Sequence, residues 1–155
     1  LFRGLILRSL QPYGKKFAIF ASAYLFGLFH GNIIQSPYAF LVGLVLGYVT
    51  IEYSMVWAVV LHMGNNLILG DLLGWITRFL PVKAQEWIFL ILIWGCTIAA
   101  ILVMIVKWKD LLTYVKTDRI HPLCIKSFFS SPPVIVFTCV MGASILLTLL
   151  LPVIA

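Results

Sequence analysis

Two stretches of this chain, Glu86 to Val106 and Pro133 to Ala155, carry almost no charge after their first residues. A helix needs about 20 predominantly apolar residues to cross the hydrocarbon core of a bilayer. Backbone polar groups in lipid must be satisfied internally, so only helices or closed barrels can make that crossing. Composition points the same way, since 63% of the 155 residues are hydrophobic and 10% are charged, against roughly 25% charged in a soluble domain. The mean hydropathy of +1.10 reads as an all-α integral membrane protein. A soluble core cannot hide so much apolar surface.

The remaining apolar runs set the expected architecture. Leu1 to Leu10 reads as the last turns of a preceding helix and ends at the basic turn Gln11 to Lys16. Phe17 to Ile34 is the next run, closed by Gln35-Ser36-Pro37, because proline disfavours helix in the residue before it. Tyr38 to Thr50 is short for a span, and its Gly43-x-x-x-Gly47 spacing lets another helix approach one face. Ile51 to Ser54 reads as a tight turn, and Met55 to Leu69 as apolar except for His62, Asn65 and Asn66. Gly70 to Gln85 is an amphipathic connection, and Lys107 to Lys126 a basic loop joining the two clearest spans. The sequence therefore predicts one domain over 1–155, a polytopic transmembrane bundle of about five spans plus the end of a preceding helix.

Charge placement orients that bundle. With Lys15 and Lys16 in the cytoplasm, the inside segments also hold Lys107, Lys109, Lys116, Arg119 and Lys126, and the outside ones Arg78 and Lys83, seven basic residues against two. That split follows the positive-inside rule. The net charge of +6 is explained by topology and anionic lipid, with no call for nucleic acid. The cysteines Cys96, Cys124 and Cys139 read as packing residues rather than a disulfide framework. Trp57, Trp75, Trp87, Trp94 and Trp108 read as interfacial anchors, and His121 as a solvated loop residue.

Polar side chains at membrane depth are costly unless partnered, and they mark function or an internal hydrogen bond. Four stand out here. His62 and Asn66, four residues apart, stack on one helical face; His30 and Arg3 lie in other segments. At ~1.5 Å per residue from the cytoplasmic turns, His30 falls roughly 20 Å deep, His62 and Asn66 roughly 12 and 18 Å, and Arg3 roughly 12 Å. These levels overlap, so a single polar pocket holding all four is expected. Asn32 and Asn65 suit either that pocket or helix-end hydrogen bonding.

Phe26-Gly27-Leu28-Phe29-His30 and His62-Met63-Gly64-Asn65-Asn66 resemble the Phe-x-x-x-His and His-x-x-x-Asn motifs of the CPBP family, the CAAX protease and bacteriocin-processing intramembrane peptidases, also called the ABI family. Leu1-Phe2-Arg3-Gly4 resembles the tail of its first motif, Glu-Glu-x-x-x-Arg. The segment Phe40 to Tyr48 and Trp57 are also similar to bacterial members. The resemblance covers about residues 1–69, and 70–155 reads as additional membrane helices. By the motif spacing, the two glutamates fall just before Leu1; the chain opens as though in mid-helix, which predicts residues upstream that carry them.

The resemblance implies an intramembrane endopeptidase of a multi-pass bacterial cytoplasmic membrane, acting on a membrane-associated or prenylated substrate. Such hydrolysis needs an activated water, an oxyanion donor and a water path. A motif glutamate would activate water, Arg3 would steady the carboxylate, His30 and His62 would hold water or protonate the leaving amine, and Asn66 would serve the oxyanion. Two histidines and a carboxylate also suit zinc in principle, but the chain has no His-Glu-x-x-His signature, and metal-free activation is the preferred expectation. Glu52, Asp71 and Glu86 lie too near the membrane faces to replace the glutamates. The expected partners are membrane lipid, a membrane-associated peptide or protein substrate and a membrane-protein partner. A different class of reading is a catalytically silent membrane protein for bacteriocin self-immunity or scaffolding.

Overall fold

Residues 1–33, 35–106, 108–117 and 120–154 are described in the computed structural model, except for the side chains at 69–71, 93, 94, 96, 97, 99–101, 103, 104, 110, 111, 115 and 151–154. Trp94, Cys96 and Asp71 as side chains, and Lys107 and Arg119 altogether, thus lie outside the described residues. The chain is helical, with no strand among the described residues. The helices are α1 (Leu7–Leu10), α2 (Lys15–Leu28), α3 (Gln35–Glu52), α4 (Met55–Asn66), α5 (Leu73–Thr77), α6 (Val82–Val106), α7 (Trp108–Thr117), α8 (Pro122–Ser130) and α9 (Pro132–Ile154). A π-helical turn, Phe2–Ile6, leads into α1, and a second, Leu67–Leu72, joins α4 to α5. Among the described residues, one stretch, Pro132–Leu150, is long and apolar enough to cross a membrane.

The chain divides into two compact units, residues 1–61 with 120–155 and residues 62–119. In the first, α2 is the central helix. Phe17, Ala21 and Leu25, spaced four apart, bury one face against Phe128 of α8, with Val134 and Phe137 of α9 packed beside them. The Phe17 and Phe128 rings meet edge to face at 5.9 Å, a favoured aromatic geometry. Tyr24 and Thr138 join α2 to α9 through a hydroxyl pair at 3.2 Å.

The opposite face of α2 meets α3 through small residues. A Cβ on Gly43 would sit 3.1 Å from the Ala23 backbone, one on Gly47 3.1 Å from Ile19, and one on Gly27 2.9 Å from both Phe40 and Ser36 O. Small residues on the facing sides let the two backbones approach closely. Lys15, at the start of α2, pairs with Glu52, at the end of α3, at 3.0 Å. The two helices therefore run antiparallel with their backbones nearly touching. The Gly43-x-x-x-Gly47 spacing serves the packing role expected of it.

Helix ends depart from the sequence reading in four places. The helix expected over Phe17 to Ile34 stops at Leu28, because Gly31 turns the backbone to φ +61, a conformation that glycine adopts without steric cost. Gln35-Ser36-Pro37 opens α3 instead of ending the previous run, since proline is tolerated in a first helical turn, where its missing N–H is not needed. Asn32 Oδ1 accepts the Gln35 N–H at 3.2 Å, which places Asn32 at a helix end. Most of the Gly70 to Gln85 connection is helical, with its turn near Arg78 to Pro81, and the basic loop contains α7 and α8. His121 caps α8, its Nδ1 accepting from Leu123 N at 3.3 Å, ahead of a proline at the first helical position.

In the second unit, Arg78 lies over the Trp75 and Phe79 rings at 5.1 and 4.5 Å. Thr77 is buried there and donates to Leu73 O at 2.7 Å. Across both units, Trp57, Trp75, Trp87 and Trp108 are exposed. Cys124 and Cys139 are free thiols.

Candidate functional site

The N-terminal π turn organises one polar cluster, within the first unit. Leu7 N–H donates to Phe2 O, five residues back, so the turn is wider than an α-turn, and such insertions recur at functional sites. The Phe2 carbonyl also accepts from Ser22 Oγ at 3.0 Å. Ser22 Oγ in turn accepts from Arg3 Nη1 at 2.8 Å, and the Arg3 guanidinium lies over the Phe26 ring at 5.0 Å. Arg3 Nη2 is buried and has no hydrogen-bond partner among the described residues. A buried cationic donor left unmatched is costly, so this nitrogen is suited to an anion.

Phe26 links Arg3 to His30. Its ring packs edge to face on the His30 imidazole at 4.9 Å, and its carbonyl meets His30 Nδ1 at 2.9 Å. A carbonyl only accepts, so Nδ1 carries the proton and Nε2 presents the lone pair; fixing one ring nitrogen in this way sets the role of the other. His30 is exposed and lies in the turn after α2 rather than inside the helix. Phe2 completes the cluster, with its ring 5.5 Å from Phe26 and 5.4 Å from Phe29. A cavity of about 260 Å3 opens beside it, lined by Phe2, Leu25, Phe29, Val134 and Phe137 among others.

A separate polar cluster, His62, Asn65 and Asn66, lies on α4 in the other compact unit. Asn66 Nδ2 donates to His62 Nε2 at 3.4 Å, as the spacing of four predicts. Asn65 Nδ2 donates to Asn66 Oδ1 at 3.5 Å, which orients the Asn66 amide. A side-chain amide has two N–H donors, so Asn66 keeps a second for another acceptor. The chain departs from regular α-helix directly after Asn66, where Leu73 N–H donates to Ile68 O.

Among the described residues, no three His, Cys, Asp or Glu side chains gather as metal ligands. Glu52 is engaged with Lys15. Sequence reasoning named Arg3, His30, His62 and Asn66 and did not name Ser22 or the contact of the Phe26 ring with both Arg3 and His30. A lone serine four residues before Phe26 in an apolar run was the available signal. A family model described as type II CAAX prenyl endopeptidase Rce1-like matches residues 1–68. No curated protein and no solved structure matches the chain.

Proposed function

We propose that this protein is a multi-pass intramembrane endopeptidase that hydrolyses a peptide bond of a membrane-associated or prenylated substrate, a reading supported by the match of residues 1–68 to the model of Rce1-like type II CAAX prenyl endopeptidases. The observation that carries the reading is that the matched segment contains Arg3, Phe26 to His30 and His62 to Asn66 in motif order. The local geometry supports it. His30 presents Nε2 as a base or water-holding atom, and Asn66 has an amide donor to spare.

In the proposed reaction, a carboxylate of the first motif takes a proton from water as the oxygen attacks the scissile carbonyl. Arg3 Nη2 holds that carboxylate, and Asn66 donates to the oxyanion. Collapse of the tetrahedral intermediate breaks the C–N bond, and the proton that the carboxylate took from water passes to the leaving amine through His30 Nε2, whose lone pair receives it and then gives it up. We further propose that several helices besides α9 cross a bacterial cytoplasmic membrane, among them α6, whose 25 residues extend roughly 37 Å at the helical rise.

The test uses full-length protein in liposomes with a prenylated peptide. His30→Ala and His62→Ala should each lower cleavage by about 10²- to 10⁴-fold, the usual cost of losing a positioned acid–base group, with helix content unchanged by circular dichroism. Parental turnover in His30→Ala would remove that residue from the reaction. An unaltered protein that cleaves no such peptide would favour the silent membrane partner.

A further inference from the structure

We propose that Ser22 is a positioning residue of the site, whose hydroxyl fixes the Arg3 guanidinium and so decides where its free nitrogen points. What Arg3 serves rests on the endopeptidase reading; the clamp itself rests on geometry. Hydroxyls in helices ordinarily donate to a carbonyl three or four residues back on their own helix. Thr50, Thr77, Thr113 and Thr148 all do so, donating to Leu46, Leu73, Lys109 and Ile145. Ser22 does not. Its Oγ–H crosses to Phe2 O, and its lone pair receives Arg3 Nη1.

Ser22 is 0% exposed, so no water can replace that hydroxyl without opening the packing. Three contacts then define the arginine head. Ser22 takes Nη1, the Phe26 face lies beneath the guanidinium carbon, and Phe2 O, the carbonyl next to Arg3, is tied to the same hydroxyl. With the hydroxyl gone, the guanidinium can slide over Phe26, and the π turn loses its tie to α2. Ser22 and Phe26 are four apart on α2 and so share a face, and the Phe26 ring and carbonyl hold the His30 imidazole beyond the helix end.

A double-mutant cycle tests this with Ser22→Ala, Arg3→Gln and the double variant in full-length protein, read by turnover of the prenylated peptide and by thermal unfolding in one detergent. Ser22→Ala should lower kcat by roughly 10- to 100-fold, the scale of a misplaced group, while KM changes little. On the Arg3→Gln background it should cost almost nothing more, since contacting residues couple. A raised KM with parental kcat, or losses that add in full, would overturn the proposal. The melting temperatures test the clamp without turnover: subadditive losses support it even in a protein that cleaves nothing, and fully additive ones sink it.

Discussion

His30 and His62 fix their imidazoles by opposite devices. A backbone carbonyl takes the Nδ1 proton of His30, which leaves Nε2 basic; a side-chain amide donates into Nε2 of His62, which occupies the lone pair. The two rings are therefore not interchangeable, and His30 is the better placed to take a proton. Asn66 has a separate task as a donor. Asn66→Ala should reduce cleavage by about 10²- to 10³-fold, the cost of one oxyanion donor. Asn66→Asp should do no better, because a carboxylate has no hydrogen to give. An active Asn66→Asp enzyme, measured on the same prenylated peptide, would show that the amide N–H is unused. The His-x-x-x-Asn pair was legible because a spacing of four stacks two residues on a helix whatever surrounds it. Ser22 was not, because nothing in a sequence tells whether a serine bonds its own helix or a neighbour.

At the scale of helices, the α2–α3 contact sets the framework on which Phe26 and His30 stand. Gly43→Leu would drive a side chain into the Ala23 backbone, 3.1 Å from where its Cβ would lie. Overpacking of this kind typically costs about 1–3 kcal/mol, seen as a lowered melting temperature in detergent. Gly142→Ala on α9, whose Cβ would meet nothing within 4 Å, is the matched control and should stay within about 0.5 kcal/mol of the parent. Equal losses from the two variants would refute the close-contact account. The glycine pair was readable from its spacing, whereas Gly27 was hidden inside the Phe26 to His30 motif, and its packing role depends on Ser36 and Phe40 of another helix. The ends of α2 and α3 were also misjudged. Apolar content marks lipid solubility, and it runs on past Gly31, where only the backbone angle stops the helix.

For the molecule as a whole, the placement of the basic residues predicts an orientation. Lys116 lies near the end of α7, in the segment expected on the cytoplasmic side. Lys116→Cys should resist a membrane-impermeant thiol reagent applied to intact cells and react after permeabilisation, with the native cysteines replaced beforehand. Labelling from outside would invert the topology. Counting charge concealed two helices, α7 and α8, because a tally of lysines ignores the periodicity of the residues between them. The π turn at Phe2–Ile6 adds a constraint on chain length. Deleting one residue such as Leu5 would let a regular helix run straight into α1, but everything before the cut would rotate by about 100° and shift by about 1.5 Å. Arg3 would then face away from Ser22. Substitutions around this turn can be absorbed one at a time, while the number of residues between Arg3 and Leu7 cannot change, so natural variation here should alter letters and never spacing.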